Sequence, residues 1–169
     1  MSIRAYVGLG GNLGHPRRSL ARALRALSRL PRTRLIAASP DYMSAPVGVA
    51  GPQPDYVNAV ALVWTALGPS ALLRRLQAIE HRLGRRRAPG QARNAPRVLD
   101  LDLLLYGRVR VSRPGLVVPH PRMHQRAFVL KPFLDIAPAA AIPGRGAART
   151  WLRHTRGQRI SRTRSPIWR

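Results

Sequence analysis

The sequence predicts an α+β fold in which two helices pack on a mostly antiparallel sheet. Strand-sized apolar runs alternate with two amphipathic helical segments in the order strand, helix, strand, strand, helix, strand. With 169 residues, 45% of them hydrophobic, the chain can bury one core and is too short to expect two. We therefore expect one domain over residues 1–155 and a basic, loosely ordered tail over residues 156–169.

The composition excludes several classes of protein. The absence of cysteine rules out disulfides, thiolate metal sites and a cysteine nucleophile. No apolar run approaches the roughly 18 residues of a membrane span, and the N-terminal residues lack the apolar segment of a signal peptide. We expect a cytoplasmic enzyme or binding domain.

The formal net charge of +24 raises the question of nucleic-acid binding. Lys131 is the only lysine, however, and an arginine bias with much alanine, proline and glycine is also typical of a GC-rich coding sequence. Small anionic substrates such as nucleotides fit the charge equally well. We expect any binding of nucleic acid to be absent or non-specific.

The first half of the chain predicts a strand, a helix and a second strand. Residues 5–9 form an apolar run, and residues 10–14 read as a glycine-rich turn that lacks the spacing of a dinucleotide fingerprint, because position 13 is leucine. Pro16 suits the start of a helix, and Pro31 ends it. Its apolar stripe is Leu20, Leu24, Leu27 and Leu30. Residues 35–38 predict the second strand.

Residues 44–54 form a long proline- and glycine-rich loop, of a kind that is often functional. The strand predicted over residues 55–64 places Tyr56 and Asn58 on one face, where they could hold a flat heterocycle or simply belong to the core. A second helix begins near Pro69, carries the stripe Leu72, Leu76, Ile79 and Leu83, and stops at Gly84. Glu80 lies beside that stripe, with either a specific partner or a surface position.

Asp100 and Asp102 are the most unusual feature of the chain, because they sit in an apolar strand-like run over residues 98–105. Alternate strand residues face the same side, ~6.6 Å apart over two steps. Ionised groups in such a strand are costly unless they are paired or hold a metal. The basic loop of residues 85–97 lies next to them, so ion pairs or a shared anionic ligand bridged by metal are both expected.

The remaining segments predict small elements: short strands near residues 109–111 and 116–118, a helix around residues 129–134 and a short helix over residues 147–152. His120 lies between two prolines, in a loop that is a poor place for a core histidine. The order of the main elements is that of a ferredoxin-like βαββαβ core, with both helices on one face and the other face free for a ligand.

Five motifs carry a resemblance to a known family. The run R-N-A-P-R-V-L-D-L-D-L-L at residues 93–104 resembles the signature of 6-hydroxymethyl-7,8-dihydropterin pyrophosphokinases. Four others agree in order: G-L-G-G-N-L-G, S-A-P-V-G with Q-P-D-Y-V-N, I-E-H-R-L-G-R, and V-P-H-P-R-M-H-Q-R-A-F. The resemblance covers roughly residues 3–140.

The resemblance implies transfer of pyrophosphate from ATP to the hydroxymethyl oxygen of the pterin, with release of AMP, in folate biosynthesis. Asp100 and Asp102 would hold two Mg²⁺ ions, and Arg85 and Arg97 would act with them as catalytic residues. The residues implied at ATP are Glu80, Arg87, Arg93, His120 and Arg126. Those implied at the pterin are Ser44, Ala45, Val47, Tyr56, Asn58 and Phe128.

The chain departs from the family pattern at two places. Asn94 stands where members commonly carry tryptophan, and Gly115 where they often carry arginine, with Arg113 nearby. The alternative function is a basic ferredoxin-like RNA-binding module, although the predicted strands lack the exposed aromatics that read RNA. A monomer is expected, since the site needs no second copy.

Overall fold

The computed structural model of the chain describes residues 1–49, 51–86, 90, 94–163 and 167. The strands of the main sheet are β1 (Ile3–Gly11), β2 (Thr33–Ala38), β3 (Tyr42–Ser44), β4 (Tyr56–Thr65), β5 (Asp100–Tyr106) and β10 (Ile160–Arg162). Two small hairpins pair β6 (Val111–Arg113) with β7 (Leu116–Val118) and β8 (Ala141–Ile142) with β9 (Gly146–Ala147). The helices are α1 (Pro16–Ser28), α2 (Pro69–Arg82) and α3 (Ala127–Ile136), with 3₁₀ helices at Met123–Gln125 and Ala148–Thr155.

The main sheet is antiparallel, and β1 and β4 form its centre. Its strands follow the order β10, β3, β4, β1, β5, and β2 also pairs with β4. β4 is long enough for two partners on one edge: its first residues pair with β3 and its last with β2. The core order β5, β1, β4, β2 is ferredoxin-like, which confirms the predicted fold class.

One face of the sheet carries the larger core. Most of each predicted helical stripe is buried against it, with Leu20, Leu24 and Leu27 from α1 and Leu72, Leu76 and Ile79 from α2. The last stripe residues, Leu30 and Leu83, follow the helix ends and are half-buried. Each helix has proline in its first turn, where the missing amide costs no helical hydrogen bond. The sheet supplies alternate residues of three strands: Ala5, Val7, Leu9, Val57, Ala59, Ala61, Val63, Leu101 and Leu103.

The opposite face is covered over part of its length. The helix α3 packs there through Leu130 and Phe133, and the ring of Tyr6 meets that of Phe133 edge to face at 4.8 Å between centroids. The expectation that this whole face stays free for a ligand was therefore wrong. In the part of the chain that the structure describes, the end near the C-terminus of β1 and the N-terminus of β5 is open, and that opening is the site described below.

Three local predictions also differ from the structure. Gly10 and Gly11 belong to β1, so the turn begins at Asn12. The strand expected at residues 109–111 lies at Val111–Arg113. Residues 160–162 pair with β3, so the expectation of a loosely ordered tail does not hold for them. Within the described ranges, no helix is long and apolar enough to cross a membrane.

The α2 stripe gives a direct test of the core. Leu76 is fully buried, so Leu76→Ala should lower the free energy of unfolding by about 2–5 kcal/mol through lost burial and a residual cavity. Urea denaturation followed by circular dichroism measures the change. The neighbouring exposed residue provides the control, and Gln77→Ala should change stability by less than about 0.5 kcal/mol. Equal effects of the two substitutions would contradict the assigned face of α2.

Candidate active site

A cavity of about 650 Å³ opens at the uncovered end of the sheet. Its floor is formed by β1, β4 and β5, and its walls by the loop after β3, the segment before β5 and the start of α3. The residues that line the cavity include Ser44, Ala45, Val47, Tyr56, Asn58, Arg85, Asn94, Arg97, Asp100, Asp102, His120, Arg122, Arg126 and Phe128. One cavity therefore brings together nearly all the described residues that the motifs indicated.

Two glycines of β1 form the middle of the floor. Gly8 lies opposite Asp102 on β5, and Gly10 lies between Asp100 on β5 and Asn58 on β4. A Cβ atom at Gly10 would come within 3.1 Å of the side-chain oxygen of Asn58. The sequence predicted Gly10 only as part of a turn. It lies in β1 instead, and glycine is required there because a side chain would project into the cavity.

The carboxylate pair projects from the floor as the strand alternation predicted. The two oxygens of Asp100 accept separate hydrogen bonds, one from the Arg85 guanidinium and one from Arg97 Nη1 at 2.8 Å. Asp102 is more open, with 38% of its side chain exposed, and its Oδ2 lies 3.9 Å from Nε2 of His120. Withdrawal from water and the nearby negative charge of Asp100 raise the pKa of Asp102. A bound cation would offset that repulsion.

Glu80 lies behind the cavity rather than in it. It is buried, and its Oε1 accepts hydrogen bonds from the Arg85 guanidinium and from the backbone amide of Leu101 at 2.6 Å. Burial raises the pKa of Glu80, while the Leu101 amide and Arg85 oppose that shift. The resemblance implied a place beside ATP, but the structure puts Glu80 against Arg85, which it fixes between two carboxylates.

Asn12 holds the segment that carries Arg97. Its backbone amide donates to the Arg97 carbonyl oxygen and its Oδ1 accepts from the Arg97 amide, both at 2.9 Å. Its Nδ2 also donates to the Pro54 carbonyl oxygen at 3.1 Å. The sequence did not indicate this role. The available signal was an asparagine in a glycine-rich turn; in the structure it is 4% exposed, and a buried amide needs partners.

The wall nearest β3 combines aromatic and polar groups. Asn58 Nδ2 donates to Ser44 Oγ at 2.9 Å, which leaves the other edge of the amide toward the cavity. Tyr56 and Phe128 both line the cavity, and the Arg126 guanidinium lies 5.3 Å from the centre of the Phe128 ring. Two rings and an amide are suited to a flat heterocycle.

Asn94 ties the two loops above the cavity together. Its Nδ2 donates to the Gly48 carbonyl oxygen at 2.7 Å, and its own carbonyl oxygen accepts from Gln53 Nε2 at 3.1 Å. The position where an aromatic residue was expected thus forms a polar link. Arg87 and Arg93 lie outside the described residues. Arg113 lies on β6 and does not line the cavity, whereas Arg122, which the sequence did not single out, does.

The donor set at the floor fits a magnesium site that is completed by substrate. Among the described residues, no cluster of three or more acidic or histidine side chains gathers as a self-contained metal site. Mg²⁺ usually takes one or two carboxylates together with phosphate oxygens and water. Asp100 and Asp102 supply two carboxylates on one side of the cavity, and the surrounding arginines suit the phosphates.

Fold and site together define a small ferredoxin-like domain built for phosphoryl transfer, with carboxylates and arginines converging on one cavity. The sequence profile of the 7,8-dihydro-6-hydroxymethylpterin-pyrophosphokinase (HPPK) family matches residues 6–138, and the chain belongs to this family. The predicted family and the predicted class of enzyme, an ATP-dependent pyrophosphokinase of folate biosynthesis, are thereby confirmed.

Relatives of known name agree with that assignment. A 2-amino-4-hydroxy-6-hydroxymethyldihydropteridine pyrophosphokinase of Pseudomonas aeruginosa is 51% identical over 143 residues, which cover 85% of this chain and 86% of the relative. The enzyme of that name from Haemophilus influenzae is 45% identical over 141 residues, covering 83% and 86%.

Solved structures extend the likeness to the fold. A crystal structure of wild-type Plasmodium falciparum HPPK-DHPS with pteroate superposes with a TM-score of 0.70 at 12% identity. The match covers 90% of this chain and 44% of that longer chain. At this identity the likeness shows the fold alone, and it agrees with the ferredoxin-like core.

The arrangement behind Arg85 predicts a cost for removing Glu80. Glu80→Ala should lower the free energy of unfolding by about 3–5 kcal/mol, because it leaves a buried guanidinium and a buried amide short of an acceptor. Glu80→Gln keeps an acceptor at that position and should lose less. Urea denaturation compares the two variants. A loss from Glu80→Ala no larger than that from Glu80→Gln would contradict the proposed support of Arg85.

Proposed function

We propose that the chain transfers the pyrophosphoryl group of ATP to 6-hydroxymethyl-7,8-dihydropterin, giving the pterin diphosphate and AMP. The observation that carries this proposal is that one cavity is lined on the β5 side of β1 by Asp100 and Asp102 with their arginines, and on the β4 side by Tyr56 and Asn58. The first group suits a polyphosphate and the second a flat acceptor. Both reactants can therefore meet in one enclosed space, which phosphoryl transfer requires more than a protein nucleophile.

At the polyphosphate end, the side chains neutralise and orient charge. Arg85, Arg97 and Arg126 line the cavity together with His120 and Arg122. Ion pairs with Asp100 hold Arg85 and Arg97 in position before a ligand enters. Asp100 and Asp102 would hold two Mg²⁺ ions, which supply charge neutralisation on the phosphate oxygens when bound. Arg87 and Arg93 keep the ATP-binding role that the resemblance implies.

At the acceptor end, the pterin would lie between Tyr56 and Phe128. Asn58 would read the polar edge of the ring, with its orientation set by the hydrogen bond to Ser44. Backbone groups of Ala45 and Val47, which line the same wall, would complete the pocket. The acceptor hydroxymethyl group then points toward the carboxylate end.

The reaction exchanges one phosphorus–oxygen bond for another. The hydroxymethyl oxygen bonds to the β-phosphorus of ATP and loses its proton to solvent. The bond from that phosphorus to the oxygen bridging the α-phosphate breaks, so AMP leaves with that oxygen. Charge on the transferred group and on the leaving oxygen is met by the arginines around the floor. No covalent bond to the protein is needed.

The structure gives no support to the RNA-binding alternative. RNA-reading sheets of this fold present aromatic residues on an open face, whereas α3 covers much of this one. We further propose that the enzyme acts as a cytoplasmic monomer.

Incubation with Mg-ATP and 6-hydroxymethyl-7,8-dihydropterin should release AMP. Tight, salt-sensitive binding of RNA without AMP would overturn the proposal.

Both carboxylates are expected to serve activity, and Asp102 is expected to add nothing to stability. Asp100→Asn and Asp102→Asn should each lower kcat at least about a hundredfold, because substrate phosphates lose their cation-binding partners. Asp102→Asn should keep the wild-type unfolding temperature or raise it, since it removes one of two neighbouring like charges. AMP release and thermal unfolding are the measurements. Asp135→Asn removes a charge outside the cavity as a control, and wild-type activity in either site variant would refute the metal assignment.

The aromatic pair should affect the acceptor more than the nucleotide. Tyr56→Ala and Phe128→Ala should each raise KM for the pterin about tenfold or more, which matches the loss of one stacked ring, and should leave KM for ATP within about threefold. Steady-state kinetics with each substrate varied in turn separates the two. Trp64→Ala, an exposed aromatic on the same strand as Tyr56, is the control. Equal changes for both substrates would argue against stacking.

A further inference from the structure

The C-terminal segment of residues 158–163 contacts both walls of the cavity, although it lies beyond residues 6–138 that match the family profile. On one side, β10 pairs with β3 so that Ile160 lies opposite Ser44. The Arg159 carbonyl oxygen accepts from the Ala45 amide at 3.1 Å, and the Thr163 amide donates to the Asp41 carbonyl oxygen at 2.9 Å. The segment therefore follows the full length of the strand that leads into the acceptor wall.

On the other side, one side chain holds the start of α3. Gln158 Oε1 accepts from the Ala127 amide at 2.8 Å, and Gln158 Nε2 donates to the Gln125 carbonyl oxygen at 2.7 Å. These two bonds flank Arg126. The first amides of a helix have no partner within it, and the capping residue of α3, Arg126, makes no side-chain cap. Gln158 supplies from a distant part of the chain the acceptor that a local cap would provide.

The backbone held in this way carries two residues of the site. Arg126 turns its guanidinium into the cavity, and Phe128 follows one helical position after Ala127. Because hydrogen bonds to Gln158 hold the backbone on both sides of Arg126, that backbone has little freedom to rotate. The direction of the Arg126 side chain therefore depends on Gln158. Small displacements of a positioned group cost rate and affinity steeply.

A third attachment joins the segment to the beginning of β4. The Arg159 guanidinium donates to both carboxylate oxygens of Asp55, at 2.7 and 2.8 Å, and Asp55 immediately precedes Tyr56. The arginine side chain is 69% exposed, so solvent screens this pair and its energetic contribution is small. The pair aligns the segment with the start of β4, while the bond from the Ala127 amide to Gln158 is partly buried.

We propose that residues 158–163 join the acceptor wall to the start of α3, and that Gln158 is the positioning residue that aims Arg126 and Phe128 into the cavity. The inference rests on the proposed function. Gln158 touches neither substrate in this role; it acts through the backbone of residues 125–127. Residues 158–163 lie outside the residues that match the family profile. They nevertheless position residues of a site whose reacting groups all lie within that match.

The test compares four full-length variants with the wild type in the AMP-release assay. Gln158→Ala removes both side-chain bonds and should raise KM for the pterin and for ATP about five- to tenfold, the effect of one or two lost hydrogen bonds. Gln158→Glu keeps an acceptor for the Ala127 amide at a helix N-terminus, where negative charge is favourable, and should recover part of the loss. Arg159→Gln should change KM less than Gln158→Ala does. Ser161→Ala, an exposed position in β10, should match the wild type.

Thermal unfolding of each variant separates positioning from stability. Gln158→Ala with raised KM values, an unfolding temperature close to that of Ser161→Ala and recovery in Gln158→Glu supports the proposal. A lowered unfolding temperature with unchanged KM values, or kinetics equal to those of Ser161→Ala, would overturn it. A wild-type protein that releases no AMP would instead remove the proposed function, which keeps the two failures distinct.

Discussion

The geometry of the site depends on the two-residue alternation of β5. Leu101 and Leu103 are buried beneath α1 and α2, so Asp100 and Asp102 must face the other side of the sheet. A slip of one residue would place both carboxylates in the apolar core and both leucines in the cavity, at a prohibitive cost. The same constraint acts on β1 and β4, where Gly8, Gly10 and Asn58 share the carboxylate face. Hydrophobic burial on one side therefore sets the register of the polar groups on the other.

That register leaves an electrostatic problem, which the surrounding arginines resolve. Arg97 and Arg85 meet the two oxygens of Asp100, and Arg85 is itself held from behind by Glu80. Buried charges of this kind are tolerated only when each has a partner and further hydrogen bonds. The network fixes the guanidinium groups before a ligand arrives, which lowers the reorganisation needed when phosphate charge develops. Like charges on Asp100 and Asp102 remain less well compensated, and this is where a bound cation has the most to contribute.

Local sequence patterns predicted the elements with strong periodicity. The leucine stripes of α1 and α2 and the alternation around Asp100 state which face is buried, and the motifs around them indicated the family and most of the cavity lining. The short strands β3 and β10 have three residues each and carry no periodic signal. β3 forms because β4 offers it an edge, and β10 forms because β3 then offers the next one. Both edges are properties of the assembled sheet.

The contacts that the sequence did not show join distant segments of the chain. Glu80 joined the expected ATP contacts through its motif, but the packing of α2 on β5 turns it toward Arg85 and the Leu101 amide. Asn12 and Gln158 act through the backbones of segments far away in the chain, 85 and 31 residues distant. No local pattern encodes such a partner. The cover that α3 places over part of the sheet is likewise decided by tertiary packing of Leu130 and Phe133.

The glycine floor has a consequence for competition with the natural ligands. Every replacement of Gly8 or Gly10 adds atoms on the face that lines the cavity. A Cβ atom at Gly10 would lie 3.1 Å from the Asn58 side-chain oxygen, and one at Gly8 would contact Leu104 at 3.4 Å. A substitution at either position that excluded an inhibitor from the floor would also take space from the enzyme's own reactants. A compound that rests on these two backbone positions would therefore be hard to exclude by substituting either glycine.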